Sequence, residues 1–131
     1  MPTLIQIGVS PDPALLRRLA ALDLRFSSRS AEISSDARSA LNNLIQELRR
    51  TDSPIMVIGH ADATGRASKN DAISQKRADA VQELLVKAGI RSARITALGE
   101  GDRMPIADNT TPEGRAANRR VVIELVATGD R

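Results

Sequence analysis

An arginine stands in the second half of the chain where an amphipathic helix should carry an apolar side chain. The apolar stripe Val81, Leu84, Leu85 and Ala88, continued back by four and seven residues, reaches Arg77 and Ser74. Arg77 is therefore expected on the inward side of its helix, near the N-terminal end. A guanidinium withdrawn from water needs a carboxylate, a ligand anion or a path to solvent, because an unpaired buried charge is strongly destabilising. The nearest acid is Asp62, in the loop between an apolar strand and this helix. In a strand–helix unit that loop and the helix N-terminus meet at one end of the sheet, a common place for ligands. The residues alone leave two readings open. One is an Asp62–Arg77 salt bridge tying loop to helix, the usual fate of inward charges. The other is a ligand site at that end of the sheet, with Arg77 meeting a ligand anion.

Other chemistries find less support. His60 is the only histidine. One His and one Asp are too few for zinc, and His60 reads as a strand-end histidine with its imidazole hydrogen-bonded to backbone. There is no cysteine, so no thiolate nucleophile, disulfide or thiolate metal site exists. The serines have no candidate base beyond His60, and there is no G-x-S-x-G turn. Asp62 and Glu100 could be imagined as a glycosidase carboxylate pair, but nothing in their spacing favours it. Gly99-Glu-Gly101 lacks the Lys-Ser/Thr of a phosphate loop and reads as a turn. No enzyme, cofactor or metal is implied.

Composition narrows the ligand class. The chain has one Phe and neither Trp nor Tyr. It cannot stack bases as single-strand and RNA modules do, nor offer aromatic platforms to a sugar. Basic residues number 19 against 16 acidic ones, with only Lys69, Lys76 and Lys87 as lysines. The two signs are interspersed, so nucleic-acid binding is not supported. Recognition must rest on polar and charged contacts.

The positioning elements follow from pattern. A chain of 131 residues with 41% hydrophobic and 27% charged residues is one globular domain. Residues 1–21 are an N-terminal lead, either a linker remnant or a short helix over Ala14–Leu22, with Leu15, Leu16, Leu19 and Leu22 at helical spacing. Leu22–Phe26 alternates as a half-buried strand. Ser34, Ser35 or Asp36 caps a helix whose stripe is Leu41, Leu44, Ile45 and Leu48 and which ends near Arg50. Ile55–Ile58 is a buried strand, followed by a polar loop and a helix from about Asn70 to Ala88, capped by Ser68, Asn70 or Asp71. Gly89 and Ile90 fit a left-handed helix end with its hydrophobic contact. Ala93–Leu98 is a strand. Thr111-Pro112-Glu113 opens a short helix. Val121–Val126 is the last strand, and 127–131 form a tail. The order β-α-β-α-β-(short α)-β implies an α+β fold with helices packed on a mixed sheet. No run approaches a membrane span. The start of the chain does not read as a secretory signal. It fits a cytoplasmic protein, or a piece of a longer one whose export signal or anchor lies upstream.

Several ordered motifs then meet in one family. These are Ile58-Gly-His-Ala-Asp62, Asn70-x-x-Ile-Ser74-x-x-Arg-Ala78-x-x-Val81, Gly99-Glu-Gly, Pro105-Ile-Ala-Asp-Asn109 and Gly114-Arg-Ala-Ala-Asn-Arg-Arg-Val121. With Phe26-Ser-Ser-Arg-Ser-Ala-Glu-Ile33 upstream, the chain from 22 to 126 resembles the OmpA-like C-terminal domain, whose relatives include the peptidoglycan-associated lipoprotein and the flagellar motor stator protein. The resemblance implies non-catalytic, non-covalent binding of peptidoglycan through the meso-diaminopimelate of the stem peptide. It also implies a periplasmic or envelope location and a membrane-anchored parent, the domain itself not being membrane-inserted. Asp62 and Arg77 match the principal ligand pair, Thr64 and Asn70 supporting positions, and Arg119 a position beside the same pocket. The helix N-terminus near Asn70 would add backbone donors. Ser74 is expected to support the helix or loop, and Arg120 to be structural. Arg29 departs from the family pattern, adding a contact or crowding the pocket, and Ile73 replaces the usual Leu. The alternative is a protein–protein or dimerisation module of the same fold that has lost the ligand, and a homodimer stays open under either reading.

Overall fold

A computed structural model describes residues 23–125. The expected Ala14–Leu22 helix, with the whole of the lead and the tail, lies outside the described residues. Among the described residues four strands and three helices alternate: β1 (Asp23–Arg25), α1 (Ser35–Leu48), β2 (Ile55–Gly59), α2 (Ala67–Lys87), β3 (Ile95–Gly99), α3 (Pro112–Asn118) and β4 (Arg120–Leu125). The strand order is β1-β4-β2-β3. β2 and β3 run parallel, as expected for strands joined through a helix, and β4 is antiparallel to both β1 and β2. The mixed α+β architecture inferred from the element order is the one observed.

Helix ends show which local signals governed. Ser34 caps α1, its hydroxyl accepting from the Ala37 amide at 3.1 Å. Thr111 caps α3 in the same way, accepting from the Gly114 amide at 2.9 Å with Pro112 at the first helical position. Gly89 takes φ 101°, and the Ile90 amide donates back to the Leu85 carbonyl at 3.0 Å, closing the left-handed end of α2. The start of α2 differs from expectation. It begins at Ala67 rather than near Asn70, so Ser68, Asn70 and Asp71 lie inside the helix and cap nothing. Arg66 precedes it without a side-chain cap, and its carbonyl takes the amides of Lys69 and Asn70 at 3.1 and 3.0 Å. β3 also starts later than expected, because Ser92–Arg94 forms a single 3-10 turn. Arg94 is buried there and donates to the carbonyls of Ser53 and Leu48 and to the Thr51 hydroxyl, fastening the end of α1.

The core is aliphatic apart from Phe26. Ile55 and Val57 of β2, with Val121, Ile123 and Leu125 of β4, form one cluster with Leu41, Ile45 and Leu48 of α1 and Val81 and Leu85 of α2. Two glycines bring α2 unusually close to the sheet. A Cβ at Gly59 would lie 1.9 Å from the Ser74 carbonyl oxygen, and one at Gly99 would lie 2.5 Å from the Gln75 amide nitrogen. These glycines are register partners on the parallel pair. The Ser74–Arg77 turn of α2 therefore rests directly on the C-terminal ends of β2 and β3. Among the described residues, no helix is long and apolar enough to cross a membrane.

Candidate functional site

Close approach at Gly59 sets Arg77 against the end of β2, where it is only 1% exposed. Its guanidinium does not turn to Asp62. Nε donates to the Ser30 carbonyl at 2.8 Å, Nη1 to the His60 carbonyl at 3.0 Å and Nη2 to the Ser27 carbonyl at 3.1 Å. The guanidinium carbon also lies 5.3 Å from the Phe26 ring centroid. The Asp62–Arg77 salt bridge, one of the two readings left open by the residues, is not formed; a clamp of backbone carbonyls satisfies the buried cation without a second charge. Burial pushes the Arg77 pKa down to about 10, helped by the Arg119 charge and opposed by Asp62. It remains a cation at neutral pH. A guanidinium has five N–H groups, so two are left over.

Asp62 takes Arg119 instead. Arg119 Nη1 donates to Asp62 Oδ2 at 2.9 Å, and the Thr64 amide donates to Oδ1 at 2.9 Å. Burial opposes ionisation of Asp62, but hydrogen bonds from the Thr64 amide, the Arg119 guanidinium and the Thr64 hydroxyl outweigh it. They hold the carboxyl below its ordinary value. Arg119 is fixed in turn: Nε donates to the Phe26 carbonyl at 2.8 Å, and its own carbonyl accepts from the Phe26 amide at 3.0 Å. Asp62, Arg77 and Arg119 line a cavity of about 220 Å³. Its walls are the Ser28–Arg29 turn, the loop at Ala61–Thr64 and one face of α2.

The cavity thus holds one fixed anion, Asp62, and two fixed cations, Arg77 and Arg119. The model of the OmpA family matches residues 25–119. The chain belongs to the OmpA family. Outer membrane porin F of Pseudomonas fluorescens is 39% identical over 107 residues, which is 81% of this chain and 33% of that protein. Peptidoglycan-binding protein ArfA of Mycobacterium bovis is 36% identical over 101 residues, 76% of this chain and 31% of that protein. The chain thus spans about a third of the length of these relatives. Among solved structures, the cell wall anchor of the type VI secretion system from Pseudomonas aeruginosa superposes with a TM-score of 0.70 at 34% identity, covering 80% of this chain and 79% of that one.

The OmpA-family fold gathers most of the residues singled out from sequence. Asp62, Thr64, Asn70, Arg77, Arg119 and Arg29 all line the one cavity. Ser74 does not. It is fully buried, donates from Oγ to the Asp71 carbonyl at 2.8 Å and accepts from the Gly101 amide at 2.8 Å, so it ties the turn after β3 to α2. Asn70 is placed differently from expectation. It lies three residues inside the helix, its amide is spent on Arg66, and its side chain donates to Asp102 at 3.2 Å. It therefore brings no free helix-end donor.

Ser28, Ala61, Lys69, Ala72, Ile73 and Lys76 also line the pocket and were not singled out as site residues. Lys69, Ala72, Ile73 and Lys76 recur at helical spacing, one step round α2 from its buried stripe, and that spacing was the available signal. His60 also departs from expectation: its buried Nδ1 has no hydrogen-bond partner. Burial, with the Arg120 charge, pushes its pKa down to about 4, so the ring is neutral. His60, Glu100 and Arg120 line a separate cavity, so Asp62 and Glu100 do not share a site. Arg120 is buried and donates to the Asn118 and Met104 carbonyls. Among the described residues no group of three or more His, Asp or Glu could hold a metal ion.

Proposed function

We propose that this domain binds peptidoglycan non-covalently through the meso-diaminopimelate of the stem peptide and anchors a larger envelope protein to the cell wall. The observation that carries the reading is one small cavity lined by the ionised Asp62 and by Arg77, a buried cation with two N–H groups to spare. The side-chain end of diaminopimelate is itself a zwitterion. Its carboxylate can accept the two remaining N–H groups of Arg77. Its ammonium can donate to the remaining lone pairs of Asp62, joining the Arg119–Asp62 pair as a third charge. Binding of this kind needs no general acid, base or metal. Relatives that are a peptidoglycan-binding protein, a cell wall anchor and an outer membrane porin support peptidoglycan as the ligand, the anchoring role and an envelope location.

Calorimetric titration with a diaminopimelate stem peptide tests the reading. Asp62→Asn and Arg77→Ala should each weaken binding by about 2–3 kcal/mol, roughly thirty- to hundredfold. Asp62→Asn keeps the shape of the side chain, and circular dichroism checks the fold of both variants. A lysine-type stem lacks the second carboxylate and should lose comparable affinity, because Arg77 gains no new acceptor. Equal binding by wild type and both variants would sink the idea. One observation favours the rival interaction module: Asp62 is already paired with Arg119 at 2.9 Å, so its charge has a partner within the protein. Co-sedimentation with sacculi separates the two, since an interaction module would stay in the supernatant.

A further inference from the structure

The cavity carries more positive charge than one zwitterion can use. Arg29, Lys69, Lys76, Arg77 and Arg119 line it against the single carboxylate of Asp62. The excess is local, since the whole chain has a net charge of only +3. Arg77 and Arg119 are committed inside, to backbone carbonyls and to Asp62. Arg29, Lys69 and Lys76 are exposed and make no ion pair among the described residues. Lys69 and Lys76 project from the same face of α2, two turns apart.

Arg29 faces them from the first turn, and its backbone is unusual. Its φ is 59°, the left-handed region that side-chain-bearing residues seldom occupy. The turn around it is closed by the Ser30 amide donating to the Ser27 carbonyl at 3.1 Å, and those two residues supply carbonyls to Arg77. The Arg29 side chain reaches across to the loop after β2, where its Nη2 would lie 3.4 Å from a Cβ built at Gly65. Glycine or asparagine would take this backbone with less strain. An arginine held here places a charge at the mouth of the cavity.

We infer that Arg29, Lys69 and Lys76 form a second anion subsite, which reads the free α-carboxylate of the D-glutamate preceding diaminopimelate in the stem peptide. This rests on the diaminopimelate reading above and extends it to specificity. The D-glutamate is joined through its γ-carboxyl, so its α-carboxylate stays free one residue from the group held by Asp62 and Arg77. Amidation of that carboxylate removes its charge and leaves its shape nearly unchanged. The domain therefore discriminates unamidated from amidated peptidoglycan.

The test uses the full chain and two tetrapeptides, L-Ala-γ-D-Glu-mDAP-D-Ala and the same peptide carrying an α-amide on the glutamate. Every other carboxylate is common to both, so only the glutamate differs. Calorimetry at low salt should show the carboxylate form binding five- to tenfold tighter, with the ratio shrinking at high salt as the exposed cations are screened. Lys69→Gln/Lys76→Gln should bring the ratio toward one. Both positions are exposed on a long helix, so the fold of that variant is not in question. Adding Arg29→Gln should complete the loss of discrimination. Equal binding of the two peptides by wild type overturns the subsite and leaves the diaminopimelate reading standing. Discrimination that survives in the triple variant also overturns it. Binding of neither peptide overturns both.

Discussion

Arg77 keeps a full charge with 1% of its surface exposed, and carbonyls from two distant segments hold it there. Its guanidinium is oriented before any ligand arrives, which lowers the ordering cost of binding. One of those carbonyls belongs to His60, whose ring is buried and neutral. The sign of its effect on stability is set by its lowered pKa. Between its ordinary value of 6.5 and about 4, the unfolded chain binds a proton that the folded chain refuses. Stability should therefore fall as pH drops through that window, by up to about 3 kcal/mol. Denaturant unfolding at steps from pH 7 to pH 4 measures it, and His60→Asn should flatten the slope. An unchanged slope in that variant would assign the effect elsewhere. Asp62, with its pKa lowered, adds a further loss only at more acid pH. The inward position of Arg77 was legible in the period of its helix. Two of its three acceptors, the Ser27 and Ser30 carbonyls, were not, because they come from a turn some 50 residues upstream whose left-handed Arg29 leaves no mark in the pattern.

Packing of α2 on the sheet is backbone against backbone at Gly59 and Gly99. Gly59→Ala should be much worse than an ordinary surface substitution, because its Cβ would meet the Ser74 carbonyl at 1.9 Å and the helix would have to move. A loss of about 2–4 kcal/mol is expected, read as a lower thermal midpoint. A midpoint within a degree of wild type would mean that the contact is not tight. At this scale most of the fold was legible: apolar runs marked β2 and β4, helical stripes marked α1 and α2, and Thr111-Pro112 marked α3. The start of α2 was misplaced because capping rules look for Ser, Asp or Asn, whereas Arg66 contributes only its backbone. The pocket-lining face of α2 went unseen because Lys69, Ala72, Ile73 and Lys76 mix charge with small and apolar side chains.

The cavity is assembled from the first turn, the loop after β2, the middle of the chain in α2, and Arg119 at the head of β4. No single segment could form it, and the sheet order that puts the first strand beside the last is what closes it. A ligand bridging these segments should stabilise the fold as a whole. At a hundredfold excess over Kd, the stem peptide should add about 2.7 kcal/mol, a rise in Tm on the order of 10 °C. Differential scanning calorimetry checks this, and Asp62→Asn should remove most of the shift. No shift for wild type at that excess would argue against a site spanning the fold.

A mechanical consequence follows from the clamp on Arg77. Two of its three acceptors, Ser27 and Ser30, lie in the segment that continues directly from β1. Tension between a wall fragment gripped at Arg77 and a tether attached ahead of Asp23 would enter that turn and run along β1. β1 meets β4 through three antiparallel residue pairs, and a pull parallel to the strand loads all three at once in shear rather than peeling them one by one. If the domain bears load as proposed, those three pairs of the short edge strand would set the force at which β1 leaves the sheet.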